Sequence, residues 1–113
     1  MGTFNEHAYF LSDETENWNT ASGLAGQLNG YLASIGSADE NEFLKNGINE
    51  ITLIGLNDAT NEGNFQWDSG EAVDYLNITG SNSSNGDFAN MNFWNGGWDF
   101  DNVQVSRLSL IHI

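Results

Sequence analysis

Two periods of apolar and polar positions alternate along this chain of 113 residues. His7 to Leu11 is a short apolar, aromatic segment and predicts a first strand. Asn17 then offers an N-cap, and Trp18, Ala21, Ala25 and Leu28 follow at spacings of three and four. That is the stripe of an amphipathic helix buried along Trp18 to Leu28 and ended by Asn29-Gly30. Tyr31 to Ile35 predicts the next strand. Ser37-Ala38-Asp39-Glu40 has the form of a capping box, with Phe43 and Leu44 on the buried side and Gly47 as the stop. Ile51 to Leu56 is an apolar run of strand length, rich in β-branched residues.

The second half is strand and turn. Asn57 to Asn64 is Asn, Asp and Gly turn chemistry, and Phe65 and Trp67 alternate with Gln66 as in a half-buried strand. A turn at Asp68-Ser69-Gly70 leads to a short piece through Val73 and Tyr75. A long polar loop then runs from Asn77 to Gly86. Phe88 to Phe93 predicts a strand, and Asn95-Gly96-Gly97 turns the chain into Trp98. Val103 to Ile113 predicts a closing strand, with a change of phase near Ser106-Arg107 that suggests a bulge or a burial switch. Strand, helix, strand, helix and then mostly strands is an α+β order, with two helices flanking antiparallel sheets.

Length and composition narrow the function. A chain of this size makes a single domain, 1–113, with a modest core. The formal net charge is -14, and the basic side chains are Lys45 and Arg107. Such a surface repels nucleic acid and anionic membrane. It is either a solvated acidic face or a set of carboxylates converging on a divalent cation. Cysteine is absent, so disulfides, thiolate metal sites and cysteine nucleophiles are excluded. No apolar run is long enough to span a bilayer. Met1-Gly2 reads as an added start, and no targeting signal follows it. His7 and His112 stand at opposite chain ends and read as structural. With no Ser-His-Asp spacing, phosphate loop or His-rich motif, the expectation is not an enzyme. Asp58 and Glu62 share one short loop between two rigid elements, where paired carboxylates hold a cation.

The stretch Leu53-Ile54-Gly55-Leu56 followed by Asp58, Glu62-Gly63, Phe65 and Trp67 resembles the central motif of the C-type lectin-like domain family. In that motif a Trp-Ile-Gly-Leu strand precedes an acidic loop ending Glu-Gly-x-Phe-x-Trp, and Leu53 takes the place of the first Trp. Trp18-x-x-Ala21, Gly30 to Ile35 and Ser37-x-x-Glu40-Asn41 fit as well, so the resemblance covers nearly the whole chain. It implies chain ends that meet in one sheet and a long irregular loop that carries the ligand site. It also implies two disulfides, here replaced by Ala25 with Ile111 and by Phe88 with Val103. Packing of each apolar pair is the expected compensation, since a disulfide contributes about 2–4 kcal/mol and a buried Val, Ile or Phe side chain about 1.5–3 kcal/mol.

The resemblance also implies a cofactor, Ca2+. Asp58 and Glu62 match ligands of an auxiliary calcium site, Asp87 keeps one member of a later acidic pair, and Ser84 and Asn85 add oxygens. Calcium takes ~6–8 oxygen ligands, which suits this set. The principal sugar site departs from the family pattern. Gly80 to Ser84 replaces a Glu-Pro-Asn or Gln-Pro-Asp motif, and Trp98-Asp99-Phe100-Asp101 stands where Trp-Asn-Asp is usual. Ligand contacts are expected from Asn82, Asn85, Trp94, Asp99 and Asp101. Phe93 and Trp98 are expected in the core, with Trp94 and Phe100 at the surface. The leading expectation is a calcium-binding, extracellular or cell-surface recognition module for a glycan or peptide, within a bacterial adhesin or secreted protein. The alternatives are a metal-independent protein-binding scaffold and, behind it, an ice-binding protein.

Overall fold

The computed structural model describes residues 2–4, 7–58, 64–79, 87–101 and 106–113, without the side chain of Asp101. The strands are β1 (Gly2–Phe4), β2 (His7–Leu11), β3 (Tyr31–Leu32), β4 (Thr52–Asn57), β5 (Gln66–Trp67), β6 (Phe88–Met91), β7 (Trp98–Asp101) and β8 (Leu108–His112). The helices among the described residues are α1 (Trp18–Gln27) and α2 (Ala38–Asn46). The sheet runs β1-β2-β8-β4-β6-β7, with β3 added on β8 and β5 on β4. Its pairings are antiparallel except β4 with β8, which is parallel. The sheet is therefore mixed, a correction to the antiparallel expectation. The segments around residues 8 and 113 exchange backbone bonds, Ala8 N–H to Ile113 O at 3.3 Å and Ile113 N–H to Ala8 O at 3.0 Å.

β4 is the keel of the molecule, buried at every position. Strand residues alternate faces, and both faces of β4 are covered. Leu53 joins Trp18, Ala21, Ala25, Leu32, Phe88 and Ile111 under α1. Ile54 and Leu56 join Leu44, Trp67, Met91, Trp98, Phe100 and Leu110 in the larger cluster. Trp18 fixes α1 to β4 by donating its indole N–H to Ile54 O at 2.9 Å, and its ring stacks on Phe88 at 4.6 Å. Leu53 thus fits its position: a leucine suffices where Trp18 and Phe88 already fill the layer. Ala25, Ile111 and Phe88 meet in this one cluster, while Val103 lies outside the described residues.

The helix ends follow from their capping chemistry. Asn17 Oδ1 accepts the Thr20 N–H at 2.9 Å. Ser37 Oγ accepts the Glu40 N–H at 3.1 Å. Glu40 does not close the reciprocal half of a capping box. Its Oε1 instead accepts the Gly36 N–H at 2.7 Å, and its Oε2 accepts the Tyr9 hydroxyl. Burial, followed by this bond to Glu40, pushes the Tyr9 phenol pKa far up. α2 is thereby locked to β2 through a buried carboxylate. Ser37→Ala should cost about 1 kcal/mol, read as a lower urea midpoint at unchanged slope.

Several expected boundaries differ. Gly2 opens β1, which pairs with β2 and extends the sheet by one strand beyond the first one expected. The Tyr31–Ile35 strand is only two residues long, although Ala33 still exchanges backbone bonds with Leu110 and Gly55. Leu28 is exposed, because α1 stops at Gln27 and Leu28 is already its C-cap. With Phe10, Leu24 and Ile113 it lines an apolar groove of about 460 Å³. β8 begins at Leu108 rather than Val103, and the phase change expected at Arg107 is a single bridge to Glu16.

Candidate functional site

β6 organises the candidate site from one end to the other. At its start, Asn57 pairs with Phe88, and the Asp58 N–H donates to Asp87 O at 3.1 Å. Asp58 and Asp87 thus leave β4 and β6 abreast. Asp58 is only 2% exposed. Just before it, the Asn57 side-chain amide donates to Gly55 O at 3.1 Å and Gln66 O at 3.3 Å, which holds the strand end against β5. An ionised carboxylate taken out of water must be met by donors or by a cation. The backbones of Asp58 and Asp87, two of the three expected metal ligands, therefore lie side by side. Glu62, and with it Ser84, Asn82 and Asn85, lies outside the described residues.

Further along β6, Asn90 pairs with Asp99 on β7. A polar cleft of about 340 Å³ opens here, lined by Asn90, Asn92, Trp94, Asn95, Asp99 and Thr79 together with Ile51 and Gly97. Trp94 stands 60% exposed at its edge. Strands rise about 3.3 Å per residue, so Asp87 and Asn90 are separated by roughly 10 Å along β6. Asp99 Oδ1 accepts the N–H of Phe100 at 2.8 Å, which orients its carboxylate along the strand. The structure therefore brings Trp94 and Asp99 to one cleft. Asp101 ends β7 opposite Phe88, and its side chain lies outside the described residues.

Asparagine side chains build the cleft floor. Asn92 Oδ1 accepts from Asn95 N–H at 2.9 Å and Gly96 N–H at 3.0 Å, and Asn95 Oδ1 accepts from Gly97 N–H at 2.8 Å. Gly96 has φ +74°, a left-handed conformation that glycine adopts without strain. Its carbonyl receives the Asn41 and Asn77 side-chain amides at 2.9 and 3.0 Å. Asn41 Oδ1 in turn accepts the Trp98 indole N–H at 2.8 Å. Trp98 also clasps the incoming loop, its N–H donating to Asn77 O at 2.8 Å while its carbonyl accepts from Thr79 N–H at 2.9 Å.

Two aromatic placements are corrected. Phe93, expected in the core, is 43% exposed, because the Asn92 turn ends β6 at Met91 and carries Phe93 outward. Phe100, expected at the surface, is 1% exposed, because it shares the inward face of β7 with Trp98. Trp98 is buried as expected. Sequence reasoning misses Asn90 and Asn92, and reads Thr79 only as the end of an Asn77-Ile78-Thr79 glycosylation pattern. Asn90 lies in the β6 ladder and Asn92 in the turn that ends it, so no single local period links them.

The family model of the lectin C-type domain matches residues 14–110. Lectin BRA-3 of Megabalanus rosa is 34% identical over 113 residues, covering 92% of this chain and 69% of that protein. Among solved structures, a calcium-independent type II antifreeze protein superposes with a TM-score of 0.92 at 22% identity, over 98% of this chain and 88% of that one. The cow CD23 carbohydrate-recognition domain, solved in the presence of a GlcNAc2Man3 oligosaccharide, superposes at 0.89 with 24% identity, over 97% and 89%. At these identities the two structures speak for the fold alone.

Proposed function

The chain belongs to the C-type lectin domain family, and on that footing we propose that it is a calcium-binding extracellular recognition module for a glycan or peptide ligand. The observation that carries this reading is the buried Asp58 set abreast of Asp87 at the base of the loop region that ends in the Trp94–Asp99 cleft. Calcium would sit between Asp58 and Asp87, with Glu62 and oxygens of Ser84 and Asn85 completing its shell. It would relieve repulsion in a chain of net charge -14 and order the approach to the cleft. There the exposed Trp94 ring offers a stacking face and Asp99 a polar contact to hydroxyls or amides, and the family resemblance adds Asn82, Asn85 and Asp101 as further expected ligand residues.

Calcium titration followed by thermal melting tests the metal. At a concentration near 100 times Kd, binding should stabilise the fold by about 2.7 kcal/mol, on the order of 10 °C in melting temperature. Asp58→Asn should abolish the response. A melting temperature indifferent to calcium and chelator would remove the ion from this reading. What then remains is metal-independent recognition. A glycan array run with calcium and with chelator separates the two.

A further inference from the structure

His7 and His112 lie far apart in sequence, yet the fold brings them together. Tyr9 of β2 stands directly opposite His112 of β8, and His7, two residues back along β2, shares that face. The two imidazole rings meet edge to face with centroids 4.9 Å apart. Glu71 reaches the same point from the segment after β5. Its backbone N–H is held by Ser69 Oγ at 3.2 Å, and Ser69 Oγ is itself 2.7 Å from Ser34 Oγ. Glu71 Oε1 stands 3.8 Å from His112 Nε2. One candidate ligand atom from each of the three residues falls within 4.8 Å of the other two. His7 Nδ1 is buried with no hydrogen-bond partner.

From this juxtaposition we propose that His7, Glu71 and His112 form a site for a zinc-class dication that cross-links the first strands, the mid-chain turn and the last strand. Two imidazoles and a carboxylate, with water as fourth ligand, are a donor set that zinc takes in tetrahedral geometry. Bonds of about 2.0–2.2 Å put tetrahedral ligands roughly 3.3 Å apart, so the trio must close by about 1.5 Å at most. Glu71 is half exposed and supplies that movement. Nitrogen donors select zinc, nickel and copper over calcium and magnesium, so this site is chemically distinct from the oxygen-lined one at Asp58. Burial holds the His112 imidazole below its ordinary pKa, against the opposing pull of Glu71, which keeps it neutral and able to ligate. Ligation through Nε2 puts the ring proton on Nδ1 and opens the contact from the Ser34 N–H. At 3.5 Å that contact is at the limit of a hydrogen bond and contributes little. The cross-link would stand in for the covalent ties that a cysteine-free chain lacks.

The test is titration of chelator-stripped protein with Zn2+, Ca2+ and Mg2+, read by calorimetry and by thermal melting. One equivalent of zinc should bind saturably and raise the melting temperature, and a millimolar excess of magnesium should not displace it. His7→Ala and Glu71→Ala should each weaken zinc binding on the order of tenfold or more. Both side chains are only partly buried, so both variants should fold, as circular dichroism would verify. Asp58→Asn should leave zinc affinity unchanged, which separates this site from the calcium reading. Zinc uptake that is absent, displaced by magnesium, or undiminished in both variants would assign any binding to the acidic surface and overturn the proposal.

Discussion

Trp98→Ala should cost about 3–5 kcal/mol of folding stability, a large share of the ~5–15 kcal/mol available to a domain. The side chain is fully buried, and it meets Trp67 and Tyr75 edge to face at 5.5 and 5.7 Å. Truncation opens a cavity at the centre of the larger core cluster. It also strands Asn41 Oδ1, which the indole N–H satisfies, and an unmet buried acceptor adds about 1–3 kcal/mol. Urea denaturation should show the loss as a fall in midpoint. Trp98→Phe keeps most of the packing and drops only the donor, so it should cost clearly less than the alanine. Equal losses in the two variants would mean that the Asn41 bond, rather than the ring, carries the effect. Because Trp98 also clasps Asn77 and Thr79 through its backbone, the alanine variant should loosen the wall of the Trp94–Asp99 cleft before it unfolds.

Gly55→Ala should be the most damaging single-methyl addition to β4. A Cβ there would lie 2.7 Å from Leu32 O and 3.0 Å from Ala33 O, both backbone atoms of a neighbouring buried segment. Neither carbonyl can rotate away. Gly55 N–H donates to Ala33 O at 2.9 Å, and Gly55 O accepts from Asp68 N–H at 2.9 Å. The strand and segment 32–33 must therefore separate, which breaks the bond from Gly55 N–H to Ala33 O. Overpacking of this kind costs about 1–3 kcal/mol, and backbone on both sides puts this case at the upper end. Gly23→Ala is the control of opposite sign. Gly23 lies inside α1 with nothing within 4 Å of its added Cβ. There the methyl should stabilise by roughly 0.5–1 kcal/mol, through lost freedom in the unfolded chain. Thermal melts of the two variants should move in opposite directions; a Gly55→Ala protein that melts with the wild type would refute the close-approach account.

The legible parts of this fold are those whose signal is local. Asn17 and Ser37 cap their helices with bonds that span three residues. The run from Thr52 to Leu56 is apolar at nearly every position because both faces of β4 are covered. The aromatic assignments around the cleft failed for a different reason. Phe93 and Phe100 are equally hydrophobic, but the fate of Phe93 depends on where β6 stops. Asn92 decides that by capturing two backbone N–H groups, and local hydrophobicity does not report such a bond. Counting two back from Phe100 to the buried Trp98 would have placed Phe100 correctly. The adjacency of Asp58 and Asp87 was reachable only through the family pattern, because it depends on how two distant strands register. The meeting of His7, Glu71 and His112 had no local trace at all. It follows from β2, β8 and the turn after β5 converging, and none of those contacts is written in neighbouring residues.

The paired bonds between Ala8 and Ile113 put the strands that lead into and out of the sheet side by side. A unit built this way can be spliced into a surface loop of an unrelated host without forcing the host's flanking residues apart. Gly2 pairs with Tyr9 and Tyr9 with His112, so a short glycine-serine tether from Ile113 back to Gly2 closes a ring, and new openings can be cut elsewhere while every strand keeps its neighbours.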